Sequence, residues 1–184
     1  MPTFGELKNT ADDSSLVRRA LEGVAFMAPM DTAIPTGILD TTSTSLKALP
    51  AAWWPVGMVG TGGYVFGSEV EKSEVEGWGY AVPVRTDITK APKTIQFTPL
   101  ERQKRHLQEL TLGMDLSQVQ ASALGEVTWD EPDLPEPGDY RFFVLYKDGT
   151  TANPFFRAKA FTKVKLAETG EETWNADEDS VGQE

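Results

Sequence analysis

The chain has 184 residues and a formal net charge of −11, with 40% hydrophobic residues, no cysteine and a single histidine. That is enough apolar material for one packed domain with extensions. It excludes a disulfide framework and a thiolate metal site, and an acidic surface would not grip a phosphate backbone by counterion release. Seven carboxylates and no Lys or Arg fall in residues 168–184, so the rest of the chain carries only −4; this acidic C-terminal extension reads as a solvated terminus. The first residues lack a basic region followed by an apolar core. The longest apolar runs, broken by Pro29, Pro50 and Pro55, fall short of the ~20 residues of a membrane span. The expectation is a protein made in a cytoplasm, soluble until it meets its partners, with no membrane contact.

Residues 1–23 read as an N-terminal arm, polar from Asn9 to Ser15 and then offering Leu16-Val17-Arg18-Arg19-Ala20-Leu21 as a turn or two of helix capped from Asp12 to Ser15. Such a piece is too short to be stable alone and would order only by docking. Val24 to Ala28 is a short apolar strand, followed by a Pro/Gly/Thr-rich loop to Lys47. Residues 54–76 suggest a hairpin turning at Gly60–Gly63. Its outer half is charged on both faces (Glu69, Glu71, Lys72, Glu74, Glu76), as in a strand that reaches out of its domain. A second hairpin is expected to pair 80–89 with 93–98 through Lys90-Ala91-Pro92.

Thr98-Pro99-Leu100-Glu101 has the form of a capping box with proline at the first helical position. It predicts an amphipathic helix over about 99–112, closed by Gly113 and packed on a sheet. Tyr140 to Tyr146 is a strand ended by Asp148-Gly149, and Phe155 to Leu166 returns as a long strand. On that return strand Arg157, Lys159, Phe161, Lys163 and Lys165 share one face.

None of this carries chemistry. His106 reads as an ordinary helix-surface histidine, since no Gly-X-Ser-X-Gly elbow is present to form a triad with it. The Asp177-Glu178-Asp179 cluster lacks calcium-loop spacing, and Gly60–Gly63 has no following lysine and opens a strand, so it is no phosphate cradle. The expectation is a non-enzyme with no cofactor and no metal.

The order of these segments resembles the major tail protein, or tail tube protein, of long non-contractile-tailed bacteriophages, particularly those infecting actinobacteria. The resemblance rests on Gly23-Val24-Ala25-Phe26-Met27-Ala28-Pro29 followed by Thr32-Ala33-Ile34-Pro35-Thr36, and on Leu49-Pro50-Ala51-Ala52-Trp53 leading to Val56-Gly57-Met58-Val59. It rests also on Glu69 to Gly79, and on Val84-Arg85-Thr86 followed by Thr94 to Glu101. It covers residues 23–115 well and the later strands loosely. It implies a mainly β fold, a sandwich or half-barrel over residues 24–167 with one flanking helix and a protruding hairpin at about 60–80. It further implies hexameric rings stacked into a tube in the virion tail, assembled in the bacterial cytoplasm. The implied partners are other copies of the chain, the tape measure protein, the tail terminator and the tail-tip or distal tail proteins, with double-stranded DNA passing through without specific binding. Relatives often continue with another strand where this chain ends at Gln183-Glu184.

Residue chemistry nominates the contact positions between subunits. Leu16, Arg18 and Arg19 belong to the arm. Glu69, Glu71, Glu74 and Glu76 on the hairpin are expected to meet the Arg157, Lys159, Lys163 and Lys165 face of a neighbour. A single-ring tail terminator or other tail-completion protein, and a monomeric β-sandwich binding module, are the alternatives.

Overall fold

A computed structural model describes residues 2–40, 45–150 and 154–170. The chain is mainly β, every sheet in it is antiparallel, and two α-helices occur among the described residues. That agrees with a β-sandwich-like class. No described helix is long and apolar enough to cross a membrane. The fold comprises two compact units, one of Met1–Val56 with Glu136–Lys165 and one of Gly57–Pro135 with Leu166–Glu184.

The first unit is built on β1 (Glu22–Pro29), β2 (Trp54–Pro55), β7 (Tyr140–Gly149) and β8 (Pro154–Val164), in the order β2-β1-β7-β8. β1 and β7 pair without a break from Glu22↔Lys147 to Pro29↔Tyr140. Both segments are continuous apolar runs, the pattern of strands covered on two faces. Ala25, Met27, Phe142 and Val144 are buried on one face, and Ala28 and Phe143 on the other. On that second face Trp53 stands edge-on to Phe143, ring centroids 6.0 Å apart, with Phe26, Ile38, Leu49, Leu145 and Ala158 packed around them. The loop that delivers Trp53 is pinned by two long-range bonds. The indole Nε1 donates to the Ala33 carbonyl at 3.3 Å, and the Arg141 guanidinium donates to the Thr32 carbonyl.

The arm is organised differently from expectation. Its helix, α1, spans Phe4–Ala11 and not Leu16–Leu21. Thr3-Phe4-Gly5-Glu6 forms a reciprocal capping box that satisfies amides left over at a helix start. Bonds from the Thr3 amide and hydroxyl hold the Glu6 carboxyl below its usual pKa. Ser14–Leu16 adds one 3-10 turn. Residues 17–21 are then drawn toward β7, where the Leu21 amide donates to the Lys147 carbonyl and extends the β1 ladder. No residue of α1 is buried.

The second unit contains β3 (Val65–Ser68), β4 (Glu71–Val75), β5 (Arg85–Lys90), β6 (Lys93–Gln96) and α2 (Arg105–Leu112). β3 pairs with β6 and β4 with β5, so the two expected hairpins are one. Lys90-Ala91-Pro92 is no turn but an interruption within one arm, bridged by the Glu69 amide donating to the Pro92 carbonyl at 3.2 Å. The turn at Gly60–Gly63 does form, but Met58–Gly60 pair with Thr98–Leu100 and not with the strand beyond the turn.

That pairing also displaces the helix start. Thr98 and Pro99 are held in the bridge to Val59 and Gly60, and the Glu101 carboxylate accepts from the Met58 amide at 2.8 Å and from Lys104 at 2.7 Å. The expected cap residues are thus engaged elsewhere. α2 starts six residues later than the sequence suggested, after Lys104, which makes no side-chain cap bond. Its end is as expected: Gly113 adopts φ 63°, ψ 32°, a left-handed conformation that suits glycine, and its amide donates to the Glu109 carbonyl. Leu107 and Leu110 are buried, while Leu100, within the expected span, lies outside the helix and is exposed. The buried Glu109 carboxylate accepts from the Leu116 amide and pairs with Arg105.

Two expectations follow. Trp53→Ala removes the edge-on contact and opens a cavity against Phe143, and should cost about 3–5 kcal/mol in denaturant unfolding; a loss under about 1 kcal/mol would mean that this cluster does not hold the sheet. The Glu101 carboxyl is lowered from its usual pKa by the Lys104 bond first and the Met58 amide second. Its contribution is therefore complete above the ordinary carboxylate pKa and is lost as pH falls through the lower folded value. Wild type should exceed Glu101→Gln in urea midpoint at pH 7, with the gap narrowing as pH falls below the ordinary carboxylate range; a gap that is constant with pH would show that the charge contributes nothing.

Candidate assembly surfaces

The ribbon of β3–β4 against β5–β6 is exposed along nearly all its length. Its register is almost constant, from Val65↔Gln96 through Glu71↔Lys90 to Val75↔Arg85, with one irregularity between Glu71 and Lys72. The descending arm answers one glutamate of the ascending one and pairs two of its own charges. Glu71 meets Lys90 at 3.0 Å, and Arg85 meets Asp87 at 2.6 Å, both pairs well exposed. Of the four glutamates expected to seek a neighbour, Glu71 therefore already has a partner in its own ribbon. Glu69, Glu74 and Glu76 make no ion pair among the described residues.

The expected cationic face is divided. Arg157 and Lys159 do lie on one exposed face of β8, opposite Tyr146 and Val144 of β7. A register shift then intervenes between Phe161 and Val164, and Lys163 pairs with Asp139 at 2.7 Å. Lys165 is exposed beyond the last residue of the strand. β8 closes one side of the four-stranded sheet. In the arm, the Arg18 guanidinium lies 4.7 Å over the Phe155 ring, and the Arg19 amide donates to the Asp148 carboxylate. These two contacts fasten the arm to the β7–β8 end, with Leu16 exposed beside it. The structure thus gathers Leu16, Arg18, Arg19 and Arg157 into the first unit and the glutamates into the second.

The sequence reading missed the tip of the ribbon. Residues 76–84 connect β4 to β5, and the Val84 amide donates to the Val75 carbonyl to close the loop. Within it the Tyr80 amide donates to the Gly77 carbonyl, and Gly79 at φ 85° supplies the left-handed residue that this tight turn requires. Trp78 is thrown outward, 102% exposed, with Tyr80, Val82 and Val84 exposed behind it. The signal was present: a tryptophan between two glycines is an apolar side chain placed in a turn. At the other end of the ribbon an open cavity of about 180 Å³ is lined by Gly60, Gly62, Gly63, Val65, Phe97 and Thr98, with Gln96 beside them.

His106 lies half-buried on α2, and among the described residues no three His, Cys, Asp or Glu side chains gather as a metal site would need. What the geometry offers is exposed surface: a strand at the side of its sheet, a two-sided ribbon and an apolar tip. A family model described as phage tail tube protein matches residues 9–178. No curated protein and no solved structure matches the chain. That match spans both units and nearly every described element, so the chain belongs to the phage tail tube protein family, a structural component of the virion tail.

Proposed function

We propose that the protein polymerises as stacked hexameric rings into the tail tube and serves as the conduit for double-stranded DNA on ejection into the host. The observation that carries this reading is the family match over residues 9–178, which encompasses the sheet edge and the ribbon alike. β8 is an eleven-residue strand at the side of its sheet. A strand at the side of a sheet is where another chain can add, and closing strands into a barrel removes the edges altogether. The ribbon, exposed on both faces, is the natural bridge between one ring and the next. The tape measure protein would occupy the lumen during assembly, with the tail terminator and tail-tip proteins at the two ends. Assembly would take place in the host cytoplasm. The role is structural and calls for neither catalysis nor cofactor.

Charge gives the contacts between rings their specificity. Glu69, Glu74 and Glu76 on the ribbon would face Arg157, Lys159 and Lys165 on a neighbouring copy. Each exposed pair is worth only ~0.2–1 kcal/mol, but repetition around a ring multiplies the effect. A conduit must let a polyanion slide, so a lumen of neutral or negative sign suits the function. Every phosphate-bound lysine would add counterion-release affinity and slow transit.

Electron microscopy of the purified protein at high concentration should show tubes. Strict monomers there, with no tube in particles containing the chain, would refute the reading. Glu74→Lys combined with Glu76→Lys should suppress tube growth while leaving the thermal unfolding of the subunit within a few degrees of wild type, and Arg157→Glu should partly restore it. Undiminished growth of the double variant would remove these carboxylates from the interface. Duplex DNA should bind the free protein negligibly at low salt; tight binding would contradict a passive lumen.

A further inference from the structure

We infer that Trp78 is a knob that docks in the cavity at the ribbon base of a second copy, joining subunits head to tail. The inference rests on the tube reading above and specifies the contact that would propagate it. Three observations converge. The indole is wholly exposed and rests on none of its own chain. The backbone that carries it is fixed by the Gly77–Tyr80 turn and by the Val84–Val75 bond, so docking has to order the side chain but not the loop. Exposed aromatic anchors of this kind dominate protein–protein contacts.

The cavity matches the knob in size and chemistry. A volume near 150 Å³ accommodates a benzene ring, and the site here is about 180 Å³. That admits an aromatic side chain and is small for a drug-sized ligand. Gln96 and Thr98 at its margin supply oxygens for the indole N–H, which a buried tryptophan needs. The knob cannot fill its own cavity. Ten residue steps separate Val65 from Val75, about 33 Å of paired backbone at ~3.3 Å per residue. Knob and hole at opposite ends of one ribbon make a heterologous contact, and a heterologous contact that does not close gives an open filament. A chain that builds a tube needs a contact of that type between rings.

The test uses two variants of the full chain. Trp78→Ala removes the knob. Gly62→Leu plugs the hole: a Cβ at Gly62 meets nothing within 4 Å, and its backbone needs no left-handed conformation. Each variant should keep the wild-type circular dichroism and unfolding midpoint. Each should raise the critical concentration for tube growth by about thirtyfold or more, the factor expected for one aromatic anchor. Mixed after each has formed its own rings, the two should stack in pairs and no further, because Gly62→Leu offers a knob to the intact hole of Trp78→Ala and both outer ends are then dead. Tubes of normal length from Trp78→Ala, or a mixture with no paired species, would overturn the knob-and-cavity contact and leave the tube reading standing. Absence of tubes from wild type would overturn the tube reading itself.

Discussion

The unbroken antiparallel pairing of β1 with β7 is the constraint on which the first unit depends. It joins residues 22–29 to residues 140–147, so the core of that unit cannot form until distant parts of the chain meet. Closing so long a loop is costly before any contact repays it, although the cost grows only slowly with length. What repays it is burial on two faces at once. Met27 and Phe142 face one way, and Ala28 and Phe143 face the other toward Trp53. The pairing also fixes what the long excursion between these strands can be: the whole second unit up to Pro135 is inserted between two segments of the first. An insertion of that kind can be decorated and exposed without weakening the ladder from which it departs.

Electrostatics follows a different logic in the two units. In the ribbon, opposite charges sit across the two arms or two residues apart, as with Glu71 and Lys90 or Arg85 and Asp87. Both pairs are too exposed to contribute much stability. Their effect is to keep a long two-sided ribbon soluble and to discourage pairing with the wrong strand. At the arm, cationic side chains are used for fastening. Arg18 lies over Phe155, and Lys147 reaches Glu22 at 3.6 Å. Charge in this chain therefore selects and fastens partners, and apolar contact supplies the energy.

The legibility of the sequence tracked how much each segment depends on its surroundings. β1, β7 and β8 were readable, since an apolar run or an alternating one specifies a strand and its faces. The ribbon was recognised as two-sided and charged, but its pairing was not recovered. Strands polar on both faces contain little information about register or partner, and Pro92 imitates a turn where it merely interrupts an arm. The two capping boxes make the point most sharply. Thr3-Phe4-Gly5-Glu6 and Thr98-Pro99-Leu100-Glu101 carry the same local signal, yet only the first caps a helix. The second loses Thr98 and Pro99 to a bridge with residues 59–60, and Glu101 to Met58 and Lys104. Long-range partners decide, and local spacing does not report them. The candidate contact residues show the same division. Arg157 and Lys159 share a face as alternation requires, whereas the register shift that sets Lys163 beside Asp139 leaves no trace in the spacing.

The exposed ribbon poses a physical problem that the proposed assembly would resolve. A two-stranded ribbon is marginal in water, and among the described residues no third strand joins this one. Here its apolar side chains include Val75, Ile88 and Val84 at half exposure or more, besides the bare Trp78. Contiguous exposed apolar surface is a common mark of a contact site. Covering it would add burial to a segment that has almost none and would stabilise the ribbon and the contact together. Subunits would then pass little of the ribbon's stability to isolated copies and most of it to copies already in a stack. That dependence would separate a tube that elongates from its end from a chain that aggregates wherever it happens to meet itself.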